Sequence, residues 1–229
     1  MPATNSFHPL RRSPIHPPGA TVIERAGWQV AEAFSSPVAE AAAAQRSVGM
    51  ADLSTLGKVL VQGRQAAGAL QAALGQAPER PGDLIAVENG LLACLTREDW
   101  YLTTPTGGEA RALERLAEAI HSSNVAAYAT DMTHGSGALL LAGPKSADVL
   151  CKVCGLDFHD RSFPNRAARQ SSVARVRAIL LRDDAGGVPA YQIHIGRSEA
   201  DYLWGAIWDA ASEFDVQPVG AAAVGRLYG

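Results

Sequence analysis

The sequence predicts an α+β fold made of two similar lobes. Short apolar runs typical of β-strands alternate with amphipathic helical segments, and tight-turn signals join neighbouring runs into hairpins. The order of strand, glycine turn and helix occurs once in each half of the chain. Hairpins interleaved with helices favour mixed sheets over a doubly wound parallel sheet. The similarity of the two halves is architectural, because no stretch of sequence is repeated.

The composition is that of a protein with a sizeable core. The chain has 229 residues, of which 47% are hydrophobic and 19% are charged. This size suits one large domain, or two small lobes that share a core. The net charge is -3 and no run is rich in Lys and Arg, which disfavours a nucleic-acid partner bound by phosphate neutralisation. No apolar run approaches the roughly 20 residues of a membrane-spanning helix, so we expect no membrane partner.

The first 20 residues are rich in proline and differ from the rest of the chain. Each proline disfavours helix in the residue before it, so residues 1–20 are predicted to form an extended arm and residues 21–229 the domain. Arg11 and Arg12 are not followed by an apolar segment of signal-peptide length, which predicts a cytoplasmic protein. The odd number of cysteines, three, agrees with a reducing compartment.

The elements of the first half follow from composition and periodicity. The segment 39–44 is almost all alanine and favours a helix, and the apolar residues of 109–121 fall on one helical face. Asn89-Gly90 is a strong signal for a tight hairpin, since both residues tolerate positive φ. The predicted elements are helices at 37–50, 65–74 and 109–121, and strands at 58–63, 85–87, 91–95 and 100–104.

The second half shows a similar pattern. A turn is predicted at 143–146 and a hairpin turn at Gly186-Gly187, because glycine accepts the positive φ of both kinds of turn. The predicted strands are 125–130, 138–142, 173–181 and 191–195. One helix is predicted to start over 147–153 and another to span 199–214.

Residues considered singly indicate no catalytic apparatus. The chain lacks phosphate-cradling and dinucleotide-binding glycine motifs, and Gly135-Ser136-Gly137 is interpreted as a loop. Cys151 and Cys154 have the spacing of half a zinc site, with His159 as one further ligand. No second cysteine pair follows, so we favour packing for this pair and predict no metal. His194 alternates with isoleucines on a strand and faces either a cleft or, more commonly, solvent.

An ordered series of short motifs says more than any one of them. LSTLGK at 53–58, YLTTPTGG at 101–108 and TDMT at 130–133 come first. LAGPKS at 141–146, AYQIHI at 190–195 and PVGAAAVGRL at 218–227 follow in the same order. The series resembles the glycine-cleavage T-protein (aminomethyltransferase) and sarcosine oxidase folate-binding-domain family. The resemblance covers roughly residues 10 to 229, and a short member of this type, the sarcosine oxidase gamma subunit, is a close comparison.

The resemblance implies an aminomethyltransferase-type fold of two ferredoxin-like lobes, without the C-terminal barrel of longer relatives. It also implies a central cavity for tetrahydrofolate, where a carboxylate supports one-carbon transfer. By the same resemblance, Glu88 and Asn89 occupy the one-carbon site. Tyr101, Gln192 and Arg226 would contact the pterin or the glutamyl tail.

Two of these positions depart from the family pattern. Asn89 and Gln192 are amides where the family has carboxylates, so Asn89 carries no charge and Gln192 accepts through one oxygen only. Losing the charge-assisted contact at Gln192 weakens folate binding by about 1–2 kcal/mol. An Asn-Gly hairpin turn also explains residues 88–90 without any role in catalysis.

The resemblance implies a subunit of a multi-subunit amine oxidase or demethylase, in which flavin is held by partner flavoprotein subunits. The substrate would be a small N-methyl amine that donates its carbon to tetrahydrofolate. The chain is shorter than the aminomethyltransferases, which predicts a pocket that a partner subunit closes. The alternative is a degenerate assembly subunit that binds no folate. Little activity is expected of the chain alone.

Overall fold

The computed structural model describes residues 10–88 and 90–229. Its helices are α1 (Pro37–Arg46), α2 (Ala66–Leu74), α3 (Glu109–Ser123), α4 (Ser146–Val153), α5 (Ala200–Ala211) and α6 (Ala221–Tyr228). Its strands are β1 (Arg11–Arg12), β2 (Thr21–Arg25), β3 (Trp28–Ala33), β4 (Gly49–Asp52), β5 (Gly57–Gln62), β6 (Leu84–Val87), β7 (Gly90–Cys94), β8 (Asp99–Thr104), β9 (Tyr128–Asp131), β10 (Ser136–Ala142), β11 (Ala167–Val173), β12 (Val176–Arg182), β13 (Ala190–Gly196) and β14 (Gln217–Pro218).

The first lobe consists of β5–β9 with α2 and α3. Its sheet has the order β6-β7-β8-β5-β9 and is antiparallel throughout. Both helices pack on one face, where Leu70 of α2 and Leu116 of α3 are fully buried with Val59 and Leu102 of the sheet. Removing these side chains from water is the main stabilising contribution to this lobe.

The second lobe repeats this arrangement. It consists of β4, β10–β14, α4 and α5, and its sheet has the order β11-β12-β13-β10-β4-β14. Leu150 of α4 and Ile207 of α5 pack on Leu139 and Ile193 of the sheet. In both lobes a strand, a helix, three antiparallel strands and a second helix follow in that order. The prediction of two similar lobes is confirmed.

A glycine turn connects β5 to α2 in the first lobe and β10 to α4 in the second. Gly63 follows β5 and Gly143 follows β10, and both have φ +134°, which side chains other than glycine rarely adopt. A Cβ atom at Gly63 would lie 2.3 Å from the carbonyl oxygen of Ala126, and one at Gly143 would lie 2.3 Å from that of Ser47. The same backbone turn is therefore required in both lobes.

Two crossovers of the same design interlock the lobes. The chain passes from β4 of the second sheet to β5 of the first, and later from β9 of the first to β10 of the second. Asp52 Oδ1 accepts a hydrogen bond from Ser54 N, and Asp131 Oδ1 accepts one from Thr133 N, both at 2.8 Å. Neither lobe can be removed without breaking both crossovers.

A small third sheet lies beside the lobes, with the order β1-β3-β2. Strand β1, from the predicted arm, pairs in parallel with β3, and Ile15 beyond it is 2% exposed and packs in the core of the second lobe. These contacts attach residues 11–15 to the protein. The division into an arm and a domain stays a prediction.

Several predicted boundaries are corrected. The helix predicted over 37–50 ends at Arg46, because residues 49–52 pair with β10 as strand β4. The strand predicted over 173–181 is the end of one strand and most of the next, joined by Ala174 and Arg175 with φ +46° and +69°. The sequence analysis missed most of strand β11. Its sequence is mostly polar, so the alternation of buried and exposed residues along it is not matched by an alternation of apolar and polar residues.

Other turns match the sequence. Gly186 and Gly187 have φ +60° and +79° between the bridge partners Ala185 and Val188, as the hairpin prediction requires. Ser136 and Gly137, interpreted as part of a loop, instead begin β10. Among the helices of the described residues, none has the length and apolar character needed to cross a membrane.

Candidate functional site

A cavity of about 500 Å³ lies between the two lobes. The inner face of the first sheet contributes Leu91 and Thr103 to the cavity wall, and helix α6 contributes Val224 and Gly225. Most of the wall is apolar. The charged and hydrogen-bonding side chains in the wall are those of Arg25, Asp52, Thr55, Thr103, Thr104, Thr106, Arg166, Asp183, Gln192 and Tyr228.

A row of buried polar side chains leads from the inter-lobe core to this cavity. Gln192 and His194 lie on the face of β13 that points to the first lobe, while Ile193 and Ile195 pack under α5 on the other face. His194 Nδ1 lies 3.3 Å from the Tyr101 hydroxyl, and its Nε2 lies 3.3 Å from Gln192 Oε1. Strand β13 therefore holds Gln192 at the cavity with His194 behind it.

His194 is neutral in this environment. Burial, and then the positive charge of Lys58, lower its pKa to about 3. A neutral imidazole has one donor and one acceptor nitrogen, so one of its two partners must donate to it and the other must accept from it. Burial also raises the pKa of Tyr101 well above its usual value, which keeps this hydroxyl protonated.

A carboxylate lies beside Gln192 in the same cavity wall. Asp183 follows β12 and is 5% exposed, and burial raises its pKa despite the charge of Arg166. The Arg166 Nε atom lies 3.0 Å from Asp183 Oδ1. The geometry of this ion pair does not make a hydrogen bond, so Asp183 Oδ1 is buried without a hydrogen-bond donor among residues 10–88 and 90–229.

A second carboxylate, the half-buried Asp52, enters the cavity from the first crossover. Burial raises the pKa of Asp52, while hydrogen bonds from Ser13 and Ser54 and the charge of Lys58 act in the opposite direction. Lys58 is fully buried, and burial lowers its pKa to about 8. Its Nζ donates to the carbonyl oxygens of Ser54 and Leu56, both at 2.8 Å. The cavity wall thus contains two carboxylates that are costly to ionise.

The structure brings together two of the five predicted site residues. Gln192 lines the cavity and Tyr101 lies behind it, linked through His194. Glu88 lies outside the lining, and its side chain, 64% exposed, pairs with Arg115 at 3.0 Å. Arg226 is on the exposed side of α6, away from the cavity. Asn89 lies outside the described residues.

Sequence reasoning missed four charged residues of the cavity, Arg25, Asp52, Arg166 and Asp183. Asp52 directly precedes the LSTLGK motif, and Asp183 follows a predicted strand, so each had a signal in its position. Arg25 and Arg166 had no such signal. The expectation that His194 faces solvent is wrong, because the first lobe covers that face of β13 and leaves the residue 2% exposed.

The cysteine pair is divided between core and surface. Cys154 is 7% exposed and packs in the core of the second lobe, whereas Cys151 is exposed. Within the described part of the chain, no three His, Cys, Asp or Glu side chains are placed to hold a metal ion.

Comparison with known proteins places these features in context. The family model of the GCVT N-terminal domain matches residues 15–227. An aminomethyltransferase from Saccharopolyspora erythraea is 27% identical over 228 residues, which cover 92% of this chain and 60% of the relative. The sarcosine oxidase subunit alpha of Corynebacterium sp. (strain P-1) is 29% identical over 199 residues, covering 79% of this chain and 20% of the relative. The chain therefore spans less than two thirds of the length of each of these relatives.

Two solved structures have the same fold. The glycine cleavage system aminomethyltransferase T from Bartonella henselae superposes with a TM-score of 0.78 at 19% identity, over 91% of this chain and 58% of that one. A chain of the heterotetrameric sarcosine oxidase from Corynebacterium sp. U-96, in complex with pyrrole 2-carboxylate, gives 0.66 at 24% identity, over 81% and 98%. The predicted fold class is confirmed.

Proposed function

The chain belongs to the GCVT N-terminal domain family, and from that premise we propose that its inter-lobe cavity binds tetrahydrofolate for one-carbon transfer from an N-methyl amine. The position of Gln192 carries this proposal. The sequence assigned this residue to the pterin through the family resemblance, and the fold independently puts it in the wall of the cavity between the lobes.

The size and polarity of the cavity fit such a ligand. Its volume of about 500 Å³ lies within the range of roughly 300–1,000 Å³ common for small-molecule sites. Apolar side chains suit the faces of a planar ring, and the few polar groups fix its orientation. Arg25 and Arg166 line the cavity where Arg226 does not, and guanidinium groups suit the carboxylates of a glutamyl tail.

The residues of the chain bind and orient the ligand. Tetrahydrofolate, when bound, would supply the nucleophilic nitrogens that accept the carbon. Asp52 provides a carboxylate in a mostly apolar wall, where it would stabilise positive charge more strongly than in water. The covering of the cavity by α6 reduces access of water to the carbon being transferred. The role of Glu88 and Asn89 at the one-carbon site stays a prediction.

We further propose that the chain works as a subunit of a multi-subunit amine oxidase or demethylase. The solved sarcosine oxidase that shares its fold is a heterotetramer. In this proposal, flavoprotein subunits bind flavin and oxidise the amine, and this chain receives the carbon on the folate. The alternative is an assembly subunit without a ligand, and the exposed position of Glu88 favours it.

Calorimetric titration with 5-formyltetrahydrofolate, a stable reduced folate, tests the binding proposal. Gly225 lines the cavity, and a Cβ atom there meets nothing within 4 Å, so Gly225→Leu fills the cavity without a backbone clash. Gly205→Leu is the matched control, since Gly205 is on the exposed face of α5 and is equally unobstructed.

We expect the wild type and Gly205→Leu to bind and Gly225→Leu to lose at least about tenfold in affinity. No binding by the wild type, alone or with its co-purified partners, would reject the folate proposal. Co-purification of flavoprotein subunits together with unchanged turnover in Gly225→Leu would establish the assembly alternative.

A further inference from the structure

We propose that the outer edge of strand β9 in the first lobe accepts an extended segment of a partner polypeptide as an added β-strand. The segment runs parallel to β9 and inserts an apolar side chain between β9 and helix α3. This inference goes beyond the proposed function, because the surface shares no lining residue with the cavity between the lobes.

Strands β4 and β9 occupy equivalent positions in the two lobes. Strand β4 lies antiparallel beside β10, and β9 lies antiparallel beside β5. Each ends at the aspartate of its crossover. Directly after β4, Leu53 N donates to the carbonyl oxygen of Ala138 at 2.9 Å. Directly after β9, Met132 N donates to the carbonyl oxygen of Lys58 at 2.8 Å. The two strands therefore correspond residue by residue.

The outer edge of β4 is covered, whereas that of β9 is open. Strand β14 pairs in parallel with β4, and Val219 N donates to the carbonyl oxygen of Met50 at 2.9 Å. Ala129 corresponds to Met50. Because Met132 N bonds to β5, the alternation of an antiparallel pair turns the backbone groups of Ala129 and Asp131 away from β5. No hydrogen bond from another part of residues 10–88 and 90–229 reaches these groups.

The opposite edge of the same sheet is closed. Asp83, directly before β6, forms a bridge with Ala167 of the second lobe. Leu84 N also donates to the carbonyl oxygen of Arg166 at 3.1 Å. Strand β9 is therefore the edge of the first sheet that offers free backbone groups, and such an edge is a template for an added strand.

A groove beside this edge supplies an apolar contact. It has a volume of about 630 Å³ and lies between β9 and α3, where Leu113, Ile120 and Val125 line it. Tyr128, also in the lining, is 74% exposed. In the second lobe Val216, directly before β14, packs in the core and is 7% exposed. A segment that covers β9 as β14 covers β4 brings a similar apolar side chain to the groove.

The covered edge also indicates which occupant to expect. Strand β14 is parallel to β4 and belongs to an extended segment between two helices. The edge strands of two copies related by a two-fold axis would pair antiparallel instead. The equivalent position in the second lobe therefore favours an extended segment of a different polypeptide over a second copy of this chain.

Fluorescence anisotropy of a labelled peptide, with the full chain as the receptor, tests the inference. The peptide has the sequence of residues 214–220, the segment that contains β14. We expect saturable binding with a dissociation constant below about 1 mM. Sedimentation velocity of the wild type without peptide is measured alongside, and we expect a monomer.

Two variants place the peptide on the edge of β9. Ala117→Glu puts a charge in the groove, and Ala129→Pro removes an outward N–H group that the fold does not use. We expect each to weaken peptide binding by at least about fivefold. Ala110→Glu is the matched control and should leave binding unchanged, because Ala110 is exposed on the same helix but lies outside the groove lining. Circular dichroism confirms folding, and Ala117→Glu decides alone if Ala129→Pro does not fold.

Three results overturn the inference. The first is the absence of saturable peptide binding at about 1 mM. The second is binding that either folded variant leaves unchanged, or that Ala110→Glu weakens as much as Ala117→Glu does. The third is a dimer of the wild type that Ala117→Glu abolishes, which would assign the edge of β9 to a second copy. None of these results depends on whether 5-formyltetrahydrofolate binds.

Discussion

The two lobes have the same framework but contribute different chemistry to the cavity between them. The two sheets share the order of four strands, β6-β7-β8-β5 and β11-β12-β13-β10, and both lobes have the same glycine turn and the same aspartate-linked crossover. The first lobe contributes Gly90, Leu91 and hydroxyl groups, whereas Asp52 and Gln192 come from strands of the second sheet. Repetition of a backbone therefore does not repeat a site, because each site depends on which side chains face the shared cavity.

The crossovers show the same contrast on a smaller scale. Asp52 and Asp131 each accept a hydrogen bond from a residue two positions on, but Asp52 is half-buried and Asp131 is exposed. Six residues after Asp52 is the buried Lys58, and six residues after Asp131 is Gly137. Of the two crossovers, the first is the one followed by a buried lysine, whose ammonium group donates to backbone carbonyl oxygens.

The largest expected loss in the free energy of unfolding comes from Lys58→Met. This substitution removes a positive charge that follows one crossover and has no counterpart after the other. The variant leaves two carbonyl oxygens without their donor and Asp52 without a nearby positive charge. Each carbonyl oxygen left without its donor costs about 1–3 kcal/mol, so we expect a loss of about 2–5 kcal/mol in the free energy of unfolding. Urea unfolding followed by circular dichroism measures the loss.

Lys145→Met serves as the control, because Lys145 is half-exposed and pairs with Asp148 at the surface. Its free energy of unfolding should fall by less than about 1 kcal/mol. A similar small loss for Lys58→Met would mean that the two crossovers are energetically equivalent, and the contrast between them would be abandoned.

The second expected effect is acid sensitivity that comes from the second lobe. The folded-state pKa of His194, about 3, is below the unfolded value near 6.5. The unfolded chain therefore binds more protons between these values, and stability falls as pH decreases through this window. At pH 5 the loss from His194 is about 2 kcal/mol relative to neutral pH.

The measurement compares urea unfolding of the wild type and His194→Gln between pH 7 and pH 5. The carboxyl groups of Asp52 and Asp183, which also titrate, are present in both proteins and largely cancel in the difference. If the free energy of unfolding falls by the same amount in both proteins between pH 7 and pH 5, protonation of His194 does not destabilise the fold. The second lobe would then owe no acid sensitivity to this residue.

Local signals predicted the framework, and long-range burial determined the site. Gly186-Gly187 was predicted correctly because positive φ is a property of the residues themselves. The burial of His194 could not be read from an alternating strand, because a second lobe covers the face that would otherwise meet water. Asp183 was missed because its place in the cavity wall depends on contacts with residues distant in the sequence, among them Arg166 and Tyr228.

The smallest expected effect is that of Glu88→Gln in the first lobe. The family resemblance assigns Glu88 to the one-carbon site, whereas the fold pairs its exposed carboxylate with Arg115 on the surface. Exposed ion pairs contribute little, so the free energy of unfolding should change by less than about 0.5 kcal/mol. If the first lobe gives the cavity shape without charge, affinity for 5-formyltetrahydrofolate should change less than about twofold, against at least about tenfold for Gly225→Leu in the cavity wall. A tenfold loss in Glu88→Gln would mean that this carboxylate reaches the ligand, and that both lobes supply charge to the site.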